Sequence, residues 1–186
     1  MNVPNLLTGL RLLAVPVFVY LFLQGSHRAA LAVFIGALVT DWLDGVMARA
    51  LKQFSQLGAL LDPIADKLMA LSSLSVLCGT GRLPFWLLWL TLFREACIVI
   101  AIWLLERGGH PYVVRPTRFG KYASAGVGLA IILALVEGAA SDAARAALSP
   151  FVVSMALVAA EFVVVSWAQY LWIFIRLMRA PRMPIS

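Results

Sequence analysis

The amino-acid sequence predicts an all-α integral membrane protein of six transmembrane helices, and three observations predict it. Of 186 residues, 62% are hydrophobic and 13% charged, whereas a soluble domain carries roughly 45–50% apolar and about 25% charged residues. Mean hydropathy is +0.93. Apolar runs of the length that crosses a bilayer, about 20 residues, recur along the chain between short, turn-rich connections. The length suits a single membrane domain over residues 1–186. No separate soluble catalytic domain fits, so any chemistry must sit in or against the membrane helices.

The first helix is predicted over residues 5–24. Its sequence, MNVPNLLTGLRLLAVPVFVYLFLQ, shows neither a basic leader nor a small-residue cleavage site, which predicts a retained helix rather than a signal peptide. Asn5, Thr8 and Arg11 share one face by their spacing. They form either a helix start with a capping Asn and a snorkelling Arg, or one wall of a ligand pocket. Helix 2 follows over 29–50 and helix 3 over 57–79, joined by LKQFSQ. Helix 4, over 84–106, carries FREA. Helix 5, over 119–139, opens with RPTRFGK. Helix 6 spans 148–176 after a longer connection, EGAASDAARAALS.

Single residues along these helices follow the same logic. Arg94 and Glu95 point about 100° apart on a helix, so each is expected to meet a separate partner. Glu161 lies mid-helix and is expected to face inward, protonated or paired with Arg94. Cys78 and Cys97 fall within apolar runs and read as packing residues rather than a disulfide or thiolate metal site. His27 and His110 read as surface loop residues, and Trp86 and Tyr112 as interface anchors. Gly126 and Gly128 are small residues suited to helix packing within or between protomers.

The formal net charge of +6 is distributed by topology. With the N-terminus inside, Arg49, Lys52, Arg107, Arg115, Arg118, Lys121, Arg176, Arg179 and Arg182 fall on the cytoplasmic side. Only Arg28, Arg82 and Arg145 fall opposite. This asymmetry predicts both termini in the cytoplasm. No nucleic-acid motif accompanies the basic residues, so a nucleic-acid partner is not expected.

The chemistry concentrates in DWLDGVMARALKQFSQLGALLDPIAD, Asp41 to Asp66. Asp41 and Asp44 are three apart on helix 2, and Asp62 and Asp66 four apart on helix 3, so each pair shares a face. The antiparallel helices bring the pairs to similar depth at their cytoplasmic ends. An Asp at a helix centre costs ~2.5–3.5 kcal/mol on insertion scales, and four carboxylates repel one another. Arg49 and Lys67 cannot balance them, but two divalent cations can. An all-oxygen site favours Mg²⁺, Mn²⁺ or Ca²⁺, and paired metals suit phosphoryl displacement. Gly45 and Gly58 permit close helix packing or close approach of a ligand. Ala48 is small on the same side. Arg49 is either a positive-inside anchor or a phosphate clamp.

The stretch reads D-x2-D-G-x2-A-R-x8-G-x3-D-x3-D without a gap. It resembles the signature of the CDP-alcohol phosphatidyltransferase family, and the six helices and the chain length also fit. The resemblance implies attack of an alcohol on the phosphatidyl phosphorus of a CDP-linked lipid, with release of CMP. It implies Asp41 and Asp62 bridging two Mg²⁺ or Mn²⁺ ions, Asp44 and Asp66 completing one site each, and Asp66 as general base. Gly45, Arg49 and Ser55 match positions that contact the CDP-lipid, with Ala48, Gly58, Asn5 and Thr8 beside them. It also implies a homodimer in a bacterial cytoplasmic membrane, with the active site on the cytoplasmic side.

For the acceptor, Arg94 with Arg115, Arg118 and Lys121 form a basic set that suits a phosphorylated alcohol. "RE" in helix 4 and "GK" opening helix 5 resemble members that use glycerol 3-phosphate and CDP-diacylglycerol. Phosphatidylglycerol as acceptor, as in cardiolipin synthases, is the alternative, although Glu95 stands where those members usually have Asp. An inositol-phosphate acceptor also stays open. From other classes, an ion-coupled transporter would need internal repeats and midplane carboxylates, and a non-catalytic lipid scaffold would be expected to have lost an aspartate. Neither pattern is present.

Overall fold

The computed structural model describes residues 3–51, 56–108 and 117–179, with side chains described for 9–41, 43, 64–108 and 117–179. Among the described residues the chain is all-helical, with six helices: α1 Val3–Leu23, α2 His27–Leu51, α3 Gln56–Gly79, α4 Phe85–Arg107, α5 Arg118–Ala139 and α6 Asp142–Arg179. Five begin within a few residues of their expected starts. The sixth begins earlier, at Asp142 rather than 148. The segment DAARAALS, expected as a loop, is its first two turns. Alanine has the highest helix propensity, Asp142 suits a helix N-terminus, and Arg145 pairs with Asp142 at 3.3 Å.

By length and composition, α4, α5 and α6 are each long and apolar enough to cross a membrane, and α1 contains a shorter apolar stretch, Gly9–Leu23. The architecture is that of an integral membrane protein.

The chain forms two compact units, one of Met1–Leu83 with Ile131–Pro150, the other of Pro84–Ala130 with Phe151–Ser186. In the first, α1 packs against α2 and α3. Phe18 lies between Phe22 and Phe34, with ring centroids 6.0 and 5.9 Å away. Leu74, Leu77, Ile131 and Leu135 are also buried there. Two turns in this unit share one construction. Gly25 and Gly81 have φ of 77° and 73°, a region only glycine enters at no cost. The N–H of Ser26 donates to the carbonyl of Leu21 and that of Gly25 to Phe22. Arg82 and Gly81 repeat the pattern on Leu77 and Cys78. Both are Schellman caps that satisfy the last carbonyls of α1 and α3.

These caps place His27 beside Arg82. His27 Nε2 is 3.1 Å from Arg82 Nη2. Arginine only donates, so Nε2 accepts and the neutral ring carries its proton on Nδ1. His27 also packs on Phe22 at 4.8 Å. It is therefore half-buried and engaged, not the free surface residue expected from its loop position. Its pKa is lowered from 6.5, first by burial, then by the charges of Arg82 and Arg145.

In the second unit, Gly126 of α5 meets α6 directly: a Cβ there would come 3.3 Å from Ala159 Cα. In a bilayer, helices associate through close packing of small residues, and Gly126 serves that purpose within one protomer. Gly128 meets nothing within 4 Å. The buried face of α6 is Val152, Ala156, Ala159, Val163 and Ser166, a three-and-four repeat. Glu161 falls between these positions and is exposed, which corrects the expectation that it faces inward. Neither Cys78 nor Cys97 is part of a disulfide, and Cys78 is buried.

Candidate active site

Three helices converge at one residue of α1. Arg11 is the only charged residue of that helix and is 2% exposed. Its Nη1 donates to Asp66 Oδ1 at 2.8 Å. Its Nη2 lies 2.7 Å from Asp41 Oδ1, an ion pair by distance without the alignment of a directed hydrogen bond. One guanidinium thus spans α2 and α3. The planar guanidinium meets the two carboxylates with two separate nitrogens, where a lysine ammonium would offer a single point charge. The snorkelling reading of Arg11 is overturned, since its head group is inside the helix cluster rather than at its surface. The signal was in the sequence: a single charge in an apolar helix needs a partner, and the nearest carboxylates were those of α2 and α3.

Asp41 and Asp66 mark the two ends of the signature, and the fold brings both onto Arg11. Asp44 lies three residues beyond Asp41 in α2, and Asp62 four residues before Asp66 in α3. Helical spacing sets each on the face of its partner. Gly45, Ala48 and Arg49 are in α2, Gly58 in α3, and Asn5 and Thr8 in the first two turns of α1. The side chains of these residues, like those of Asp44 and Asp62, lie outside the described set, and Ser55 and Arg115 lie outside the described residues altogether.

Among the described residues no group of three metal-ligating side chains occurs. The donors that are described suit a hard divalent cation. Both are carboxylates, their side chains are 45% and 50% exposed, and each presents one oxygen to the same cationic group. Oxygen-only donors of this kind hold Mg²⁺ or Mn²⁺.

The predicted acceptor residues lie in the second unit. Arg94 is buried and engaged on several sides. Its Nη1 donates to Glu95 Oε1 at 2.6 Å, its Nε to Ser166 Oγ at 3.2 Å and its Nη2 to the Gly120 carbonyl at 3.4 Å. The guanidinium lies 5.9 Å from the Tyr170 ring centre. Arg94 and Glu95 therefore pair with each other, against the expectation of separate partners. The 100° between adjacent positions is bridged by the length of the two side chains. Glu161 is not among the partners of Arg94.

Gly120 is the junction. Its N–H donates to Thr117 Oγ1 at 3.0 Å, and its carbonyl also accepts from Ser124 Oγ at 3.2 Å. The N–H of Thr117 donates to Tyr170 Oη at 3.4 Å. A Cβ on Gly120 would come 3.0 Å from both Thr117 Oγ1 and Tyr170 Oη, and 3.3 Å from Arg94 Nη2. Arg118 and Lys121, in the same first turn of α5, are exposed. Sequence spacing gave no hint that Gly120, Ser166 and Tyr170 would organise this turn.

Comparison with known proteins finds relatives of one family. A cardiolipin synthase (CMP-forming) of Streptomyces coelicolor is 41% identical over 117 residues, 60% of this chain and 54% of that protein. A CDP-diacylglycerol–glycerol-3-phosphate 3-phosphatidyltransferase of Pseudomonas fluorescens is 47% identical over 104 residues, 54% of this chain and 50% of that protein. A probable phosphatidylglycerophosphate synthase of Mycobacterium tuberculosis is 41% identical over 117 residues, 59% and 56% of the two chains. The chain spans about half the length of the curated relatives it matches. The family model for CDP-alcohol phosphatidyltransferase matches residues 1–172, through both units and the whole aspartate signature, and the chain belongs to that family.

Proposed function

We propose that the chain transfers the phosphatidyl group of CDP-diacylglycerol to the hydroxyl of glycerol 3-phosphate, forming phosphatidylglycerophosphate and releasing CMP. The observation that carries this reading is the meeting of Asp41 and Asp66 on the buried Arg11, at the two ends of the family signature. In the reaction, the acceptor oxygen forms a bond to the phosphatidyl phosphorus. The bond from that phosphorus to the CMP oxygen breaks, CMP departs, and the hydroxyl proton passes to Asp66. Two divalent cations, Mg²⁺ or Mn²⁺, held by Asp41, Asp44, Asp62 and Asp66, would neutralise the diphosphate and the departing charge.

The remaining roles fall to the chain. Arg11 fixes the orientation of Asp41 and Asp66, so that the base and one ligand carboxylate hold a set spacing. Asn5, Thr8, Gly45, Ala48, Arg49, Ser55 and Gly58 receive the CDP-lipid, with Arg49 on a phosphate. Arg115, Arg118 and Lys121 bind the acceptor phosphate, and Arg94 contributes by holding the turn that carries Arg118 and Lys121. The reading places the protein in a bacterial cytoplasmic membrane as six spans and a homodimer, with the aspartates toward the cytoplasm. The distribution of Lys and Arg supports that orientation.

A second reading, with phosphatidylglycerol as acceptor, is favoured by the similarity to the Streptomyces cardiolipin synthase. The test is CMP release from CDP-diacylglycerol in detergent micelles, with Mn²⁺ or Mg²⁺ and each acceptor alone. Metal-dependent release with glycerol 3-phosphate only, lost in Asp66→Asn, is expected. Release with phosphatidylglycerol only would replace the acceptor, and release with neither would overturn the transferase reading.

A further inference from the structure

The aspartate site leaves one feature of the second unit unused. Between α4 and α6 runs a groove of about 190 Å³, lined by Cys97, Ala101, Leu104, Trp167, Leu171 and Phe174 among others. At ~30 Å³ for a group the size of a water, it has room for about six methylenes. Its walls are almost wholly apolar. Tyr170 also lines it, and its hydroxyl oxygen accepts from the Thr117 N–H. Both helices are long and apolar enough to cross a membrane, so the medium at the open side of this groove is lipid chain. Leu104 and Leu171 are exposed at its rim.

The two helices run parallel here: Phe93 and Arg94 meet Trp167 and Ser166, and Leu104 lines the same groove as Phe174 further along. Arg107, Arg176 and Arg179 therefore finish at the same end, in the last turns of α4 and α6. The Arg107 guanidinium stacks 3.9 Å over Trp103, and Arg176 lies 5.4 Å from the Trp172 ring centre. Trp172, Ile175, Arg176 and Arg179 frame an open bowl of about 530 Å³. Glu106 is the one carboxylate in these last turns, against three guanidiniums. Guanidinium is the preferred cation for phosphate oxygens because its fork matches them, and Trp at such a level anchors to the headgroup region.

From this we infer a binding site for an anionic phospholipid on the α4–α6 face: one acyl chain occupies the groove and its phosphate rests among Arg107, Arg176 and Arg179. The arginines close the same two helices that line the groove, so charge follows chain along α4 and α6, as in a phospholipid itself. The groove and its arginines belong to α4 and α6 and the aspartate signature to α2 and α3, and the occupant of the groove is not consumed.

Cys97 supplies a reporter inside the groove. The sequence has two cysteines, and Cys78 is 1% exposed, so Cys78→Ser leaves Cys97 as the single thiol. The labelling rate of Cys97 with a neutral, membrane-soluble maleimide is measured on the full chain in micelles. The micelles contain either phosphatidic acid or phosphatidylcholine with identical acyl chains. Each basic residue near an anionic headgroup supplies about a fivefold preference, so three arginines favour the anionic lipid by roughly a hundredfold and labelling in phosphatidic acid is expected to be slower by at least about tenfold. The variant Arg107→Gln/Arg176→Gln/Arg179→Gln should abolish the difference. Arg107→Gln alone, a change at an exposed helix end, should reduce it and serves if the triple variant does not fold. Equal rates in the two lipids overturn the proposal, as does a difference that survives removal of the arginines. Protection that follows protein concentration and not headgroup assigns the groove to a second copy of this chain instead.

Discussion

Replacing Arg11 with methionine isolates the bridge between α1, α2 and α3. A unit-charge pair 4 Å apart is worth about 4 kcal/mol at an effective dielectric near 20, but that value applies to pairs shielded from water. Here the cation is 2% exposed while the carboxylate side chains are 45% and 50% exposed. Each pair is therefore reduced to about 1 kcal/mol, the upper value for solvent-screened pairs, or ~2 kcal/mol for both. At ~2–4 °C per kcal/mol for a chain of this size, Tm should fall by ~4–8 °C. Methionine packs where the guanidinium stem packed and removes a buried charge, which places Arg11→Met at the lower end of that range. The assay is thermal unfolding in detergent of Arg11→Met, Asp66→Asn and the double variant. A coupling of about 1 kcal/mol between the two sites is expected. Strict additivity, with each single change costing the same in either background, would refute the bridge.

Gly120→Ala should cost ~1–3 kcal/mol, the usual range for forcing a group into a filled space. It should also raise the KM for the phosphorylated acceptor, because the turn carrying Arg118 and Lys121 must shift; unfolding and CMP-release kinetics read the two effects. Gly81→Ala asks an L-residue to hold φ near 73° and should lower stability by ~1 kcal/mol with catalysis unchanged. His27 has a folded-state pKa below 6.5, so the unfolded chain binds more protons at acid pH. Stability should therefore fall as pH drops through 6.5 and below, and rise toward neutrality. The groups facing it are Arg82, Arg145 and the Phe22 ring. The unfolding temperature of His27→Gln should lose that part of the acid slope, and an unchanged slope would contradict the assignment.

Helix positions were legible because hydropathy and turn residues mark them independently of tertiary contacts. The start of α6 was missed for a related reason: Asp142, Ala143, Ala144 and Arg145 are too polar for a spanning window but have high helix propensity and a local ion pair. The aspartate spacing carried the family, because periodicity on two helices is a one-dimensional property. What the sequence hid were contacts made at a distance. Arg11 reaches carboxylates 30 and 55 positions away, and Arg94 reaches Gly120 and Ser166. Glu161 was misjudged because its own cost of exposure was weighed without the register of the buried small residues around it.

The bridge at Arg11 also has a history within each molecule's synthesis. Arg11 emerges from the ribosome first, and Asp66 follows 55 residues later. At ~5–20 residues per second the interval is roughly 3–11 s. Over the first 30 of those residues the nascent α1 carries an unmatched positive charge, and α2 then brings Asp41 before α3 completes the set. Asp41 arrives first and balances the charge of Arg11, and Asp66 then gives the guanidinium its second carboxylate and leaves the trio with one negative charge in excess. A chain stalled between α2 and α3 would hold Arg11 on one carboxylate alone, with the second nitrogen of its fork still without Asp66.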